Sequence, residues 1–352
     1  MEIVFRADAS NDIGSGHVMR CLVLAEAFIE CGHNVTFVCR DLPGNLIEFI
    51  SPKNIKLVVL NKPSHYREIR DSADYLGWLQ VSWEEDVQEF LKNIKSANLV
   101  ITDHYAIDNK WETKVKRTLN CNILVVDDLN RKHESEFIVD QNLWPDIDTR
   151  YQHSPGVKLL GPNYAILRPS FSLLSKKEVK PQNQVIAFFG GSDLTNECIK
   201  LIKAAKLIKT LPFTLKVVTG RANDAYQELL MLSEGTPVIV ELFIKDFDLE
   251  LKKTKYVIGA SGVSNWERFC LQIPATIVSV AENQRALSQH LSNLGVVRYL
   301  GDSSLTSIDS YLTELIYLCS NWPNVDQLQK IAVDGLGVNR IIRVIEKELE
   351  ND

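Results

Sequence analysis

Long apolar runs are missing from this 352-residue chain. None approaches the ~18 residues that a membrane-crossing helix requires, so no span is expected. A basic excess is missing too. Lysine and arginine number 39 against 45 aspartates and glutamates, a net charge of −6, which argues against a nucleic-acid partner because such proteins present a basic face. Anionic small ligands stay open, since helix N-termini and backbone amides hold phosphate without net positive charge. The seven cysteines (Cys21, Cys31, Cys39, Cys121, Cys198, Cys270 and Cys319) are scattered and form no C-x-x-C. That suits a reducing compartment rather than a disulfide scaffold or a zinc site. The seven histidines show no H-x-x-x-H spacing, and no low-complexity tract interrupts the chain. The opening Met1-Glu-Ile-Val-Phe-Arg-Ala-Asp8 reads as a strand and lacks the basic and apolar regions of a secretion signal. A cytoplasmic protein is the expectation.

What is present is an ordinary globular balance, 45% hydrophobic and 24% charged, at a length that suits two domains of similar size. Short β-branched runs alternate with amphipathic stretches from end to end, the pattern of parallel sheets built from βαβ units. In the first half, strands are expected at 2–8, 34–40, 55–60, 98–105 and 122–129. A helix follows Gly16, with Val18, Leu22, Ala25 and Ile29 on one face and Gly32 ending it. A second series places strands near 185–190, 213–219, 237–243, 256–260 and 275–280, separated by helices near 195–209, 223–233, 248–254 and 262–271. The region 159–183, with Gly161-Pro162, Pro169 and Pro181, reads as a linker. The expected architecture is α/β: two doubly wound Rossmann-like domains, 1–163 and 164–323. Closing helices at 324–352 are free to pack back on the first domain.

Open α/β sheets bind ligands beyond the carboxyl ends of their strands, so residues just after strands carry the interest. The first such segment runs Arg6-Ala-Asp8-Ala-Ser-Asn-Asp-Ile-Gly14-Ser-Gly16-His17-Val-Met-Arg20. Two glycines permit close backbone approach, and His17 can move a proton near neutral pH. A plain glycine turn with a locally bonded histidine explains the segment equally well. The second, Gly190-Gly191-Ser192-Asp193, offers amides to a phosphate or sugar, or simply caps the next helix. The third runs from Ile244 and Asp246 through Gly259-Ala-Ser261-Gly262-Val-Ser264-Asn265-Trp-Glu267-Arg268 and Pro274 to Asn283-Gln284. Its helix N-terminus could face a diphosphate. Glu267 could chelate ribose hydroxyls or merely complement the helix dipole.

Two Asp-x-Asp triplets, Asp146-Ile-Asp148 and Asp246-Phe-Asp248, match a motif of metal-dependent sugar transferases. The first follows a Trp-Pro loop and the second starts a helix, where aspartates cap. No metal and no other cofactor is expected. Asp8, Asp103, Asp127 and Asp128 all fall at strand ends. One of them could orient His17 as carboxylates orient catalytic imidazoles, and nothing in the sequence chooses among them. Arg20 and Tyr105 are candidate ligand-facing residues that packing explains equally well.

The order Phe243-Ile-x-Asp246, Gly259-Ala-Ser-Gly-x-x-x-x-Glu267, Pro274, Asn283-Gln284 resembles the UDP-binding domain of GT-B enzymes, including the inverting N-acetylglucosaminyltransferase of peptidoglycan synthesis. Four further segments narrow the resemblance: Ile13-Gly-Ser-Gly-His-Val-Met-Arg-Cys-Leu22, Asp127-Asp-Leu129, Leu160-Gly-Pro-Asn-Tyr-Ala-Ile-Leu-Arg-Pro169 and Phe188-Phe-Gly-Gly-Ser-Asp193. Together they resemble the UDP-sugar hydrolases of pseudaminic acid biosynthesis, which act on UDP-2,4-diacetamido-2,4,6-trideoxy-β-L-altropyranose. The likeness runs through nearly the whole chain in order. It implies a monomeric GT-B fold with a cleft between its domains and metal-free hydrolysis at the anomeric carbon. By it His17 is the general base, the Ile244 backbone reads the uracil edge, and Glu267 holds the ribose. The Ser261–Asn265 turn, with Ser264, would hold the diphosphate. Gly14, Gly16, Arg20, Gly190, Gly191, Ser192, Asp193, Asn283 and Gln284 would line the substrate. Two other readings share these residues: a transferase in which an acceptor hydroxyl replaces water, and a UDP-sugar-binding protein without catalysis. Lys114-Val-Lys-Arg117, the one mildly basic stretch, reads as a solvated helix face rather than a lipid-acceptor patch.

Overall fold

The computed structural model describes residues 1–71, 73–221, 223–325 and 328–350. It divides into two compact units: Met1–Leu167 with Leu336–Asp352, and Arg168–Gly335. Among the described residues no helix is long and apolar enough to cross a membrane.

The first unit contains strands β1 (Glu2–Ala7), β2 (Asn34–Arg40), β3 (Lys56–Leu60), β4 (Leu99–Asp103), β5 (Asn122–Val126), β6 (Phe137–Asp140) and β7 (Val157–Leu160). They form one seven-stranded sheet in the order β3-β2-β1-β4-β5-β6-β7, parallel throughout. Its helices are α1 (Gly16–Glu30), α2 (Ile47–Ile50), α3 (Trp83–Asn93) and α4 (Asn109–Leu119). Strand side chains alternate between two apolar layers, as a strand buried on both faces requires. Ile3, Phe5 and Ala7 pack with Val18, Leu22 and Ala25 of α1, whereas Val4 and Val100 pack with Phe90 of α3 and Trp111 of α4. The α1 layer also takes Val338, Ile341, Ile342 and Ile345, whose helical spacing lines one face of the closing helix. Each such side chain, fully buried, contributes about 1.5–3 kcal/mol.

The second unit holds α5 (Pro169–Ser175), β8 (Gln184–Phe188), α6 (Glu197–Ala205), β9 (Thr214–Thr219), α7 (Tyr226–Ser233), β10 (Val238–Leu242), α8 (Phe247–Lys252), β11 (Tyr256–Ala260), α9 (Val263–Leu271), β12 (Ala275–Ser279), α10 (Glu282–Asn293), β13 (Arg298–Asp302) and α11 (Ile308–Asn321). The closing helix, α12 (Gly337–Leu349), belongs to the first unit. The six-stranded sheet runs β10-β9-β8-β11-β12-β13, again all parallel. Both units are doubly wound and Rossmann-like. Each sheet reverses its winding direction once, between β1 and β4 and between β8 and β11, and a ligand crevice opens at the carboxyl ends of such a pair.

Three strands escape the sequence pattern: β6, β7 and β13, each only four or five residues long. β5, β6 and β7 follow one another with no α-helix between them, so the strand–helix alternation that marks βαβ units is absent there. The stretch 159–183 is not plain linker. It contains the end of β7, a 3₁₀ turn (Pro162–Tyr164) and α5. Pro162 and Pro169 open helical turns rather than break them, as proline's missing N–H and fixed φ allow at a first helical position. The segment 324–352 holds one described helix rather than several, and its part up to Gly335 goes with the second unit.

Candidate active site

In the first unit β1 delivers the chain to a tight loop. Ser10 Oγ accepts from the amides of Asp12 (3.1 Å) and Ile13 (3.0 Å), and the Gly14 amide donates to the Ser10 carbonyl at 2.8 Å. Gly14 sits at φ +75°, where a side chain is strained. Gly16 opens α1 at negative φ, and a Cβ on either glycine would meet no protein atom within 4 Å. Packing therefore demands neither glycine, and the space over the loop stays open. The N-cap residue Ser15 makes no side-chain cap, and the first turn of α1 holds no acidic residue.

His17 is the second residue of α1, with its side chain 10% exposed. Its Nδ1 lies 2.6 Å from Asp103 Oδ1 at the end of β4, the strand next to β1 at the switch point. Arg20, one turn along α1, brackets the same carboxylate: Nε reaches Oδ2 at 2.5 Å and Nη2 reaches Oδ1 at 2.8 Å. Arg20 Nη1 goes on to Asp128 Oδ2 at 3.0 Å, and Asp128 also accepts from Tyr105 Oη (2.5 Å) and Asn142 Nδ2 (3.1 Å). Burial opposes a charge on Asp103, but Arg20 and His17 outweigh it and hold the carboxyl well below the usual range. Burial, then the charge of Asp128, pushes the Tyr105 hydroxyl far up, so it remains a donor. Since an ionised carboxylate only accepts, Nδ1 of His17 carries a ring proton, and in the neutral ring Nε2 is the nitrogen left to accept. Among the described residues Nε2 has no hydrogen-bond partner. The ring is packed edge-on by Tyr105 (centroids 4.7 Å) and Trp78 (5.8 Å).

The other strand-end aspartates have different work. Asp8 is paired with Arg6 at 2.6 Å, and Arg6 and Arg40 both meet Asp86 of α3. Asp127 accepts from Arg131 and faces His133. Among the four candidates Asp103 alone bonds to His17 in the described residues. Trp78 and Asn142 also belong to this cluster. No motif marks either residue, because only the fold brings 78 and 142 to the end of β4.

In the second unit, Gly190 (φ +97°) and Gly191 follow β8, and a Cβ on either would meet open space. Ser192 is half-buried. Asp193 accepts from the Glu197 (3.0 Å) and Cys198 (2.8 Å) amides and so caps α6; burial raises its carboxyl to about 6. Both its oxygens serve the helix. After β10, the amide and carbonyl of Ile244 make no hydrogen bond among the described residues. After β11, Gly262 (φ +119°) leads into α9. Ser264 Oγ donates to the Ala260 carbonyl (3.1 Å), and Asn265 Nδ2 donates to Ser261 Oγ (3.0 Å). Asn265 is fully buried and its side chain is engaged within the protein. Glu267 is half-buried; burial raises its carboxyl, against the opposing pull of Arg168 and Arg268. After β12, Gln284 Oε1 accepts from the Val280 amide (2.9 Å), and Asn283 lies in the first turn of α10. The residues singled out in this unit thus gather beyond the carboxyl ends of β8, β10, β11 and β12.

Neither Asp-x-Asp triplet is arranged around a shared centre. Asp146 pairs with Arg150 at 3.6 Å. Asp246 stands at the N-cap position of α8 without making the expected side-chain cap, and Asp248 accepts from the Leu249 amide. Among the described residues no group of three or more His, Cys, Asp or Glu side chains is placed to hold a metal ion.

Two Rossmann-like units, each built on a parallel sheet, are the components of the GT-B fold. The MurG crystal structure from Acinetobacter baumannii matches with a TM-score of 0.61 over 98% of this chain and 99% of its own, at 15% identity, a likeness of fold alone. No protein-family model matches the chain. Its sequence is 25% identical over 303 residues to the UDP-2,4-diacetamido-2,4,6-trideoxy-β-L-altropyranose hydrolase of Campylobacter jejuni, spanning 84% of this chain and 97% of the relative. It is 23% identical over 366 residues to the spore coat polysaccharide biosynthesis protein SpsG of Bacillus subtilis, across the full length of both.

Proposed function

We propose that this protein is an enzyme acting on UDP-sugars, and that it hydrolyses its substrate at the anomeric carbon to free sugar and UDP without a metal. The observation that carries the reading is the Asp103–His17 pair at the switch point of the first sheet, with Nε2 of the imidazole unpartnered. A base so oriented takes the proton of an attacking water while Asp103 stabilises the imidazolium that forms. Arg20 and Tyr105 hold the surrounding carboxylates in place. The second unit supplies nucleotide binding: the free backbone of Ile244 reads the uracil edge and Glu267 the ribose. The N-terminus of α9 stabilises the departing diphosphate through fixed amides. Within each unit the glycine loop stays uncovered, at Gly14 and Gly16 in the first and at Gly190 and Gly191 in the second. The Campylobacter relative is named for UDP-2,4-diacetamido-2,4,6-trideoxy-β-L-altropyranose, and that is the substrate we assign.

The likeness to MurG favours a second reading, a glycosyltransferase in which His17 deprotonates an acceptor hydroxyl. Incubation with a panel of UDP-sugars and no acceptor separates the two. Hydrolysis predicts stoichiometric UDP and free sugar; intact substrate that turns over only when an acceptor is added would replace it with the transferase.

A further inference from the structure

Arg268 closes the third segment with no role assigned to it, yet it lies on α9 directly behind that segment's turn. It is the sixth residue of α9, 3% exposed, and makes no ion pair among the described residues. Its Nη2 donates to the Ala260 carbonyl (3.2 Å) and to Asn265 Oδ1. Gly259 makes room for the head group: a Cβ there would stand 3.1 Å from Nη1. Burial pulls this guanidinium down to about 10, against the opposing influence of Glu267. A buried cation with no carboxylate in contact is expensive, and an anion at the turn in front of it would relieve that expense.

The neighbouring donors point to the same place. Arg268 fixes Asn265 by its carbonyl oxygen, so the Asn265 amide donates to Ser261 Oγ at 3.0 Å. With that lone pair occupied, the Ser261 hydroxyl proton is left to donate, and no acceptor for it exists among the described residues. Gln284 accepts the Val280 amide through Oε1, which leaves its Nε2 as donor; that nitrogen would lie 3.6 Å from a Cβ on Gly262. The first amides of α9 open at the same turn.

We propose that Arg268 is a positioning residue for the diphosphate of the substrate. It acts through Asn265 to turn Ser261 into a fixed hydroxyl donor, and through its own charge to raise the affinity of the turn for anions. Asn265 is then a relay rather than a ligand. This inference rests on the UDP-binding reading of the same turn.

The test compares UDP with uridine, which lacks the phosphates, by calorimetry on the full chain. Arg268→Met removes the charge, whereas Asn265→Asp keeps it and gives it a buried carboxylate partner in contact. Both should weaken UDP binding about 10–100-fold, the range for one charge-assisted hydrogen bond, and leave uridine binding unchanged. Asn265→Asp should melt no lower than wild type, which keeps the test readable if Arg268→Met folds poorly. Equal losses for UDP and uridine, or UDP binding as tight as wild type in Asn265→Asp, would overturn the role of Arg268. Wild-type protein that binds neither ligand would instead overturn the UDP reading itself.

Discussion

Asp103→Asn keeps the shape of the side chain and removes its charge. Asp103 accepts from Nδ1 of His17 at 2.6 Å and from Nε and Nη2 of Arg20 at 2.5 and 2.8 Å. All of these partners donate, whereas an amide offers one acceptor oxygen and one NH₂ group. The new NH₂ must therefore face a donor. Facing His17, it drives the ring proton to Nε2, the tautomer that cannot accept from water. A wrong tautomer costs about 10⁴ in rate in other Asp–His pairs, and loss of a general base costs roughly 10²–10⁴, so kcat should fall by about 10²–10⁴. Facing Arg20, it breaks a buried pair, worth about 3–5 kcal/mol. That loss is softened because Arg20 keeps Asp128 at 3.0 Å. The variant should melt lower yet stay folded. UDP release from a UDP-sugar would be measured for Asp103→Asn, His17→Ala and the double variant. Because Asp103 acts through His17, the double variant should be no slower than His17→Ala alone. Losses that multiply, or a folded Asp103→Asn with wild-type turnover, would show that Asp103 does not act through His17.

Gly16→Ala adds a methyl group that meets no protein atom, so stability should hold or rise slightly, whereas KM for a UDP-sugar should increase; an unchanged KM would mean no ligand passes there. His133 lies buried between Glu112 (2.7 Å) and Asp127 (3.5 Å), and although burial opposes its charge these carboxylates raise it from 6.5 to about 9. A raised folded value stabilises the protein fully below pH 6.5 and is lost as pH climbs through about 9, on the order of 3 kcal/mol in all. Urea melts across that window should show the decline, and His133→Gln should flatten it; identical slopes would exclude His133. Excess EDTA should leave UDP-sugar turnover unchanged, and activity lost to the chelator and restored by Mg²⁺ or Mn²⁺ would return attention to the Asp-x-Asp triplets.

The sequence shows the first strand, its glycine loop and His17 as one continuous segment, because a strand end and a helix start are neighbours in the chain. The partner of His17 is a different matter. Asp8, Asp103, Asp127 and Asp128 look alike in sequence, and only the order β2-β1-β4-β5 decides that Asp103 stands beside His17. Arg6 engages Asp8, and Arg131 engages Asp127. The short β6 and β7 are hidden for a related reason: their pairing with β5 is long-range, and no helix between them marks where a strand should start. Asp193 and Asn265 stand just beyond β8 and β11, as their segments suggest, but whether a polar side chain faces a ligand or its own helix depends on burial. Arg268 lies beside Glu267 in the chain, and nothing in its local sequence distinguishes a buried guanidinium from a solvated one.

In the proposed reaction water attacks carbon and UDP leaves intact. Phosphorus attack would give UMP and a sugar phosphate, or UDP carrying the water oxygen where the sugar is the leaving group, and it ordinarily relies on metal-activated water; attack at the anomeric carbon needs only a base and a site for the leaving diphosphate. The deciding measurement is turnover of the UDP-sugar in ¹⁸O-labelled water without any acceptor, with the nucleotide product read by mass spectrometry. The nucleotide is the sounder readout because a free anomeric hydroxyl exchanges with solvent. Unlabelled UDP released together with free sugar is the predicted result. Label in the UDP, or UMP as the primary product, would contradict it.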